Sequence, residues 1–336
     1  FKGGLRRNLV CTFWKNFLPT SIFLFLVFSC TPQQIGSPPQ KDGGEQLTIV
    51  NWNVQTFFDA QNDGSEYDTF VKSSTWGVAA YTTRLERLCS VIKKLDADVF
   101  VMEELENENV LYDISNFLSG EWDSKKLYQY ACFAKDAGSS IGCGVISRYP
   151  LSNMTIHALS VSAMPRMRPL IQVSIEKNGS ELVLFVNHWK SMSGGESASE
   201  KWRLLQEDVL SRQMSLLEQR GKSIIACGDF NRDLRNFKES KNGFVELRQI
   251  DGSDFEVFCP WYDDSLCLIQ PGSYYFNEQW SRLDHFFVGS KVSVLEFLPC
   301  TNGEWSNSET LVPEKYTIWN GKGYSDHLPI KCTISF

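Results

Sequence analysis

The feature that most constrains the fold is a series of apolar, β-branched runs that each turn polar at one end. Residues 47–54 carry Asn53 near their end, and residues 98–102 lead into Glu103 and Glu104. Short apolar runs rich in β-branched residues predict strands buried in a core. Because the polar residues stand at the strand ends, we expect them to gather at the edge of a sheet.

The pattern along the chain favours strands, with helices between them. Asn178-Gly179 joins two apolar runs and predicts a type I′ hairpin turn. Residues 84–94 and 198–220 instead carry apolar side chains at helical spacing. Consecutive hairpins indicate antiparallel sheet, so the sequence predicts an α/β protein with two packed, largely antiparallel sheets and helices outside.

The first 30 residues differ from the rest of the chain. Four basic residues precede the apolar segment 21–28, which is followed by Ser29 and Cys30. This segment is too short to span a bilayer comfortably, and the pattern is typical of an export signal. A cysteine after a small residue resembles the lipobox of bacterial lipoproteins, so we expect export and membrane anchoring through a lipidated Cys30. The alternatives are a cleaved signal without a lipid and an uncleaved anchor helix.

Residues 31–46 form a segment rich in Pro and Gly and poor in apolar side chains. Such a composition predicts a flexible linker, because little apolar surface is available to offset the entropy of ordering it. No comparable segment follows, so we expect residues 47–336 to form one catalytic domain and the protein to be a monomer.

The chain is net acidic, and this limits the partners that it attracts. The formal charge is −7, and removal of the signal with its four basic residues would take it to −11. A protein of this charge has no global field that attracts polyanions, so any nucleic acid must be bound by a local basic patch.

Eight cysteines follow Cys30, an even number that permits disulfides in an exported protein. Two pairs are close enough in sequence for local bridges, namely Cys132 with Cys143 and Cys259 with Cys267. The alternative is that several are buried free thiols. We expect this for Cys89 and Cys227, because both lie within apolar segments.

The polar groups at the strand ends suit the hydrolysis of a phosphate ester. Anionic oxygens repel the nucleophile and the leaving alkoxide is poor, so a divalent cation and fixed donors must offset the charge. Mg²⁺ prefers one or two carboxylates and retained water, which makes Glu104 beside Asn53 a fitting ligand. Taken alone, Glu103 and Glu104 would equally fit a solvated acidic turn.

A second polar block follows the short apolar run 223–227. Gly228 lets the backbone turn, while Asp229 and Asn231 project on the same side of the chain two residues apart. This pair is suited to orienting a water molecule and a phosphate. The alternative is a turn in which Asp229 caps the backbone.

Two of the four histidines, His188 and His327, lie in these polar blocks, and the others are expected to be structural. Histidine exchanges protons near neutral pH, and a nearby carboxylate raises its basicity. Asp326 precedes His327 directly, but neighbours on a strand face opposite ways. Asp284 is therefore the better candidate partner for His327.

Taken in order, these blocks resemble the endonuclease/exonuclease/phosphatase superfamily, which includes deoxyribonuclease-I-like enzymes, abasic-site endonucleases, bacterial sphingomyelinases and inositol-polyphosphate phosphatases. The resemblance covers residues 47–336 and implies a four-layer α/β sandwich with the site where the loops of the two sheets meet. It implies that the metal-side residues are Asn53, Glu104 and Asp326. The catalytic residues that it implies are His188, Asp229, Asn231, Asp284 and His327. Arg168 and Lys190 are the implied substrate-binding residues. This sequence departs from the family in one respect. In deoxyribonuclease-I-like enzymes the histidine that matches His188 has an acidic partner, but residues 139–147 of this chain contain no carboxylate to supply it.

We therefore predict a Mg²⁺-dependent phosphodiesterase, most simply a nuclease acting on DNA outside the cytoplasm, with Mn²⁺ or Ca²⁺ as alternative cations. In this prediction His327 activates the attacking water. The first alternative is a phosphoesterase acting on a phospholipid head group or a sugar phosphate, with the aromatic-rich residues 255–280 touching a membrane. The second is a non-catalytic surface binding protein on the same scaffold.

Overall fold

Two β-sheets, packed face to face, form the centre of the protein. The computed structural model describes residues 11–13, 44–159, 165–192, 194–241, 243–263 and 265–336, with only the backbone for the first of these ranges. The rest of the expected signal segment, Cys30, and residues 31–43 of the expected linker lie outside the described residues.

The elements follow one another in an order that mixes strands and helices. The strands are β1 (Cys11–Phe13), β2 (Gln46–Phe57), β3 (Val99–Leu105), β4 (Tyr130–Ala134), β5 (Gly142–Ser147), β6 (Leu151–His157), β7 (Leu170–Lys177), β8 (Ser180–His188), β9 (Ser223–Asp229), β10 (Lys238–Glu239), β11 (Phe244–Leu247), β12 (Phe255–Phe258), β13 (Tyr274–Phe276), β14 (Gln279–Ser281), β15 (Asp284–Val288), β16 (Ser293–Pro299) and β17 (Ile330–Ser335). The α-helices are α1 (Asp68–Val71), α2 (Val78–Leu95), α3 (Glu108–Glu121) and α4 (Glu196–Gln219).

The first sheet has the strand order β1-β4-β5-β3-β2-β17-β16, and the second has the order β10-β11-β12-β15-β9-β8-β7-β6. Strands β13 and β14 form a separate small hairpin. Two neighbouring pairs, β2 with β3 and β8 with β9, are parallel, and the other recorded pairs are antiparallel. The expectation of two largely antiparallel sheets is therefore confirmed.

Strand β3 is apolar on both faces because each face packs on a different layer. Val99 and Val101 lie in the core between the sheets, while Phe100 and Met102 pack with α2 and α3 on the outside. Successive side chains of a strand point to opposite faces, so a strand buried on both sides is a continuous apolar run. With α4 packed on the second sheet, the layers are helix, sheet, sheet and helix.

Helix α2 includes the expected helix 84–94 and positions a buried arginine. The guanidinium of Arg84 donates to the carbonyls of Thr56 and Val54, at 2.9 and 3.1 Å, and lies 3.7 Å from the ring centre of Tyr316. This side chain therefore satisfies backbone groups at the end of β2, close to Asn53. Among the described helices, no helix is both long enough and apolar enough to cross a membrane.

Three local predictions have a clear outcome. Asn178 and Gly179 both have positive φ, 48° and 87°, as a type I′ turn requires. Strand β2 begins at Gln46, one residue inside the expected linker, because Gln46 pairs with Ser335. The strand expected over residues 98–102 extends to Leu105, so Glu103 and Glu104 lie within β3 instead of following it.

The cysteines of the described domain are consistent with the free-thiol alternative. Cys143, Cys259 and Cys267 are free, so neither of the two local bridges considered from the sequence is present. Cys89 and Cys227 are buried free thiols, as expected for cysteines within apolar segments.

Glycine is required at position 228 because β9 lies close to the backbone of β8 there. Its φ is +149°, and a Cβ atom there would lie 2.0 Å from the carbonyl oxygen of Asn187. We expect Gly228→Ala to lower the free energy of unfolding by about 3 kcal/mol, because the clash is with backbone. Gly179→Ala is the matched control, since that glycine also has positive φ but nothing within 4 Å of the added Cβ. It should cost about 1 kcal/mol in urea unfolding, and equal losses would contradict the steric argument.

Candidate active site

Polar side chains from both sheets meet where the two parallel strand pairs end. Asn53 and Glu104 lie near the ends of β2 and β3, and His188 and Asp229 are the last residues of β8 and β9. Asp284 begins β15 and is paired with Asp229, because β15 runs antiparallel to β9. The strand directions thus deliver these residues to one edge, as the sequence pattern predicts.

The amide of Asn53 joins the two sheets at this edge. Its Nδ2 donates to Oε1 of Glu104 at 3.3 Å and to Oδ2 of Asp229 at 3.0 Å. Its Oδ1 accepts from the backbone N–H of Gln55 at 2.9 Å, which sets the orientation of the amide. Asn53 therefore fixes the relative positions of one carboxylate from each sheet.

Glu104 occupies a bulge in β3 and is turned towards the opening. The register with β5 shifts between Glu103 and Leu105, and Glu104 has φ of +66°. Its Oε2 accepts from the N–H of Thr56 at 2.6 Å, and its side chain is 18% exposed. A bulge re-aims a side chain, and a non-glycine residue at positive φ persists only where its surroundings determine it.

Glu103 is directed into the protein instead. Its side chain is fully buried, and Oε2 lies 3.5 Å from Nδ2 of Asn51. Burial raises the pKa of Glu103 well above its usual range, and the neighbouring carboxylates Asp284 and Asp229 raise it further. The surroundings of Glu103 therefore favour its protonated form, and Glu104 is the carboxylate of the pair that faces the cleft.

His327 and Asp284 form the pair predicted from the sequence. Nδ1 of His327 donates to Oδ2 of Asp284 at 2.8 Å, and Nε2 lies 4.0 Å from Oδ2 of Asp229. Burial by itself lowers the pKa of His327, but the charge and hydrogen bond of Asp284 outweigh it and hold the pKa well above 6.5. His327 is thus a cation at neutral pH, with Nε2 directed towards the cluster.

The loop that carries His327 is fixed to the first sheet. Ser325 Oγ donates to the carbonyl of Asn53 at 2.6 Å and accepts from the N–H of His327 at 3.1 Å. The indole N–H of Trp52 donates to the carbonyl of His327 at 2.9 Å. These contacts set the distance between the histidine and the residues of β2.

Asp229 is the carboxylate shared by most of the cluster. It accepts from the N–H of Asn231 at 2.8 Å, from Nδ2 of Asn231 at 3.1 Å and from Asn53. Burial raises its pKa to about 7, while attraction to His327 opposes the increase and repulsion from Asp284 adds to it. This carboxylate therefore gains and loses a proton near neutral pH.

His188 is buried between Glu104 and Asp229. Its Nε2 lies 3.6 Å from Oδ2 of Asp229 and 3.9 Å from Oε1 of Glu104. Burial lowers the pKa of His188 well below 6.5, with further lowering by Arg168 and His327. Among the described residues Nδ1 has no hydrogen-bond partner, in agreement with the lack of a carboxylate in residues 139–147. His188 is therefore a neutral imidazole.

Two cations border the cluster. Arg168 donates to the carbonyl of Trp189 at 3.0 Å, and the partly exposed Lys190 has its ammonium 3.5 Å from Oγ of Ser191. Burial lowers the pKa of Lys190, and repulsion by Arg168 and Arg203 lowers it further. These two side chains provide the local positive charge that the acidic chain otherwise lacks.

Asp326 lies at the rim of this arrangement. Its Oδ2 accepts from Nζ of Lys315 at 3.1 Å, and its side chain is 22% exposed. Of the eight carboxylates, amides and imidazoles expected at the site, it is the one for which the structure shows no hydrogen bond or ion pair with another of them. Its charge nevertheless contributes to raising the pKa of His327.

Two tyrosines border the cluster and were not among the expected site residues. The ring centre of Tyr274 is 4.7 Å from that of His327, and burial raises its pKa to about 12, with Asp326, Asp229 and Glu104 adding to the increase. Tyr67 lies near both Glu104 and Arg168: burial raises its pKa, the charge of Glu104 raises it further, and that of Arg168 opposes the increase. Neither tyrosine stands at the end of an apolar run, although Tyr274 belongs to an aromatic segment visible in the sequence.

The donor atoms around Glu104 fit a hard divalent cation. Glu104 and Asn53 offer a carboxylate and an amide, and among the described residues no Lys or Arg nitrogen lies within 4 Å of the Glu104 carboxylate. Mg²⁺ binds through one or two carboxylates and keeps several waters, so this small set of oxygen donors suits it.

The fold is similar to those of several solved phosphoesterase structures. Truncated TDP2 from Caenorhabditis elegans is 15% identical with a TM-score of 0.54, covering 87% of this chain and 98% of that one. A mannosyl-6-phosphatase from Bacteroides thetaiotaomicron is 17% identical with a TM-score of 0.53, covering 86% and 100%. TDP2 from D. rerio, complexed with single-strand DNA product, is 19% identical with a TM-score of 0.51, covering 87% and 99%.

These similarities define the architectural class as the α/β sandwich of the deoxyribonuclease-I-like proteins. A family model describing the Endonuclease/Exonuclease/phosphatase family matches residues 48–335. The chain therefore belongs to the Endonuclease/Exonuclease/phosphatase family, whose members hydrolyse phosphate esters. A search of curated protein sequences found no match.

The pairing of His327 with Asp284 gives a direct test by NMR. We expect Asp284→Asn to lower the pKa of His327 by at least about 1 unit, because the variant removes the negative charge that stabilises the imidazolium. Asp326→Asn is the matched control. Asp326 raises the pKa of His327 less than Asp284 and Asp229 do, so its removal should lower that pKa less. An equal change in the two variants would contradict the assigned pair.

The same pair predicts how stability depends on pH. The folded-state pKa of His327 is raised, so its contribution to stability is fully present below 6.5 and is lost as the pH rises through the folded-state pKa. Asp284→Asn should remove this part of the pH dependence in urea unfolding.

Proposed function

We propose that the chain is an exported, divalent-metal-dependent phosphodiesterase of nuclease type. The observation that carries the proposal is the position of the His327–Asp284 pair. Nε2 of His327 lies 4.0 Å from Oδ2 of Asp229, and the amide of Asn53 links Asp229 to Glu104. One space is then surrounded by the protonated His327, by Asp229 with its pKa of about 7, and by Glu104, a carboxylate suited to a metal ion. This set suits in-line attack of water on a phosphate.

Each residue has a role that follows from its contacts. Glu104 and Asn53 would hold Mg²⁺, which when bound offsets the negative charge of the phosphate and the leaving oxygen. Asp229 accepts the proton of the attacking water, because its pKa of about 7 matches that task. Asn231 holds the carboxylate of Asp229 in place through two hydrogen bonds.

The two histidines act as donors in this scheme. His327 donates from Nε2 to a phosphate oxygen, since Asp284 keeps Nδ1 occupied and the ring protonated. His188 donates from Nε2 as a neutral imidazole. This assignment differs from the expectation that His327 activates water, and the raised pKa of His327 supports the difference. Asp326, at the rim, would contribute to the cation's surroundings without contacting Glu104.

An aromatic row next to His327 favours a nucleic acid as the substrate. Tyr274 packs on His327, and Phe276 stacks on Tyr274 with ring centres 6.3 Å apart and an interplanar angle of 21°. Phe276 is 62% exposed, so an aromatic surface extends from the catalytic histidine to solvent. Aromatic faces stack with bases of any sequence, and Arg168 and Lys190 are placed to contact phosphates.

A sugar-phosphate phosphatase is the second candidate, because one structural relative is a mannosyl-6-phosphatase. The phospholipid alternative has less support from the segment 255–280. Trp261 within it is fully buried and donates its indole N–H to the carbonyl of Asp284 at 2.9 Å. It therefore supports the catalytic pair instead of touching a membrane. Export and lipidation at Cys30 rest on the sequence of residues 1–30 alone.

A substrate panel tests the activity. Plasmid DNA, single-stranded DNA, RNA and a phosphorylated sugar should be compared with Mg²⁺, with Mn²⁺, with Ca²⁺ and with EDTA. We expect cleavage of nucleic acid that EDTA abolishes, and a loss of about 10²–10⁴-fold in kcat for His327→Ala. Glu104→Gln should raise the Mg²⁺ concentration needed for half-maximal rate. Glu309→Gln, at an exposed position, serves as the unaffected control.

The panel separates the two candidates. Hydrolysis of the phosphorylated sugar without cleavage of any polynucleotide would reject the nuclease and favour the phosphatase. Absence of all hydrolysis at every cation tested would reject both and favour a binding protein.

The aromatic row gives a separate test of the substrate class. We expect Phe276→Ala to raise KM for oligonucleotides about 5–150-fold, which corresponds to one base–aromatic stack of about 1–3 kcal/mol. The same variant should hydrolyse the small diester bis-p-nitrophenyl phosphate at the parent rate, because that substrate does not reach Phe276. Trp319→Ala is the control, since Trp319 is also exposed but makes no ring contact with Tyr274 or His327. Parallel losses on both substrates would point to damaged folding.

A further inference from the structure

A second group of carboxylates lies beyond the end of β2. Asp63, Glu66 and Glu106 each present an oxygen, and these oxygens all lie within 4.8 Å of one another. Asp63 and Glu66 belong to the loop that follows β2, and Glu106 directly follows β3. The proposed function assigns no role to any of the three.

Glu106 is the member that a solvated acidic turn does not explain. It is fully buried, and its Oε2 accepts from the N–H of Asp59 at 2.5 Å. Its Oε1 is buried without a hydrogen-bond partner among the described residues. A buried carboxylate oxygen without a partner is costly, so a group that contacts it must offset the cost.

No basic side chain supplies that group in the described part of the chain. No nitrogen of Lys, Arg or His there lies within 4 Å of a carboxylate oxygen of Asp63, Glu66, Glu106 or the nearby Asp59. The oxygens of Asp59 instead accept from the N–H of Gln61 and from the amide of Asn107. Four acidic side chains thus lie together with no basic nitrogen within 4 Å among the described residues, and burial and the neighbouring carboxylates raise the pKa of Glu106 to about 8.

The chemistry of the three ligand groups suits calcium. Ca²⁺ takes about six to eight oxygen ligands, often from several carboxylates, in a flexible geometry, whereas Mg²⁺ usually binds through one or two carboxylates and keeps its waters. The loop reads Asp59-x-Gln61-x-Asp63-Gly64, which is similar to the first half of a calcium-binding loop of the EF-hand type. Gly64 has φ of +86°, as the sharp turn of such a loop requires.

We infer that Asp63, Glu66 and Glu106 bind one Ca²⁺ ion at a site separate from the catalytic cation at Glu104. The loop departs from the EF-hand pattern because its twelfth position is Phe70, and Glu66 and Glu106 take the place of the missing glutamate. The ion joins the loop after β2 to the end of β3. Tyr67 directly follows Glu66 and lies near Glu104 and Arg168, so the ion also orders one wall of the active site.

Calcium binding to the full chain tests the inference. The Glu104→Gln variant should be used as the background, because it weakens the proposed catalytic cation site. After EDTA treatment and dialysis, we expect it to bind one Ca²⁺ per chain in equilibrium dialysis, with a higher Tm as calcium is added. Adding Glu106→Gln should weaken calcium binding at least tenfold, while adding Glu309→Gln should leave it unchanged. Mg²⁺ should bind at least tenfold more weakly than Ca²⁺.

A folding defect is distinguishable from loss of the site. Without calcium, the added Glu106→Gln should melt at or above the temperature of its background, because it removes a buried acidic group that has an oxygen without a hydrogen-bond partner. Asp63→Asn, at an exposed position, is the second variant and should weaken calcium binding without altering the calcium-free Tm. The inference is overturned if the background binds no calcium, or if Asp63→Asn binds it as tightly as the background. Equal affinity for Mg²⁺ and Ca²⁺ would overturn the assignment to calcium.

Discussion

The contact on which the rest of the site depends is the amide of Asn53 between Glu104 and Asp229. One carboxylate belongs to each sheet, and Asn53 donates to both, at 3.3 and 3.0 Å. A neutral donor between two carboxylates reduces their repulsion without neutralising either of them. Asn53 thereby fixes the relative positions of one carboxylate from each half of the sandwich at the strand ends. The loop of His327 is tied to the same strand through Ser325, so its distance from Asp229 is set by this contact as well.

Burial of several carboxylates near one another explains the different states of these residues. Glu103, Asp229 and Asp284 are all buried. Burial raises the pKa of Glu103, repulsion from Asp284 and Asp229 raises it further, and attraction to His327 only partly opposes the increase. Asp284 has a charged partner in His327, and the imidazolium in turn holds the pKa of Asp229 below the value that burial alone would give. One buried cation thus forms a hydrogen-bonded pair with one carboxylate and lowers the pKa of a second, which is how a fold without a strong basic field supports phosphate chemistry.

The sequence predicts those parts of the site that depend on strand direction and residue type. The polar ends of β2, β3, β8 and β9 are visible as apolar runs that turn polar, and Asp284 was identified as the partner of His327 because adjacent strand residues face apart. Other features depend on contacts between distant segments. The bulge that turns Glu104 outward and Glu103 inward leaves no signal in two adjacent glutamates, since both orders fit an alternating strand. Tyr274 reaches His327 through a hairpin, β13 and β14, whose position no local pattern specifies. The roles of Asp229 and His327 likewise depend on burial, which a single sequence does not give.

The two proposed cation sites, at Glu104 and at Asp63, Glu66 and Glu106, place different demands on their ions. A cation at Glu104 would have to accept a phosphate, so it would remain partly hydrated and accessible. A cation at the loop after β2 would instead contact the buried oxygen of Glu106, which has no hydrogen-bond partner among the described residues. A single ion between Glu104 and Glu106 would satisfy neither condition, since the bulge directs Glu104 to the opening while Glu106 is enclosed by the loop from Asp59. Separating the two ions keeps the phosphate site accessible and leaves the wall that carries Tyr67 fixed while the substrate is exchanged.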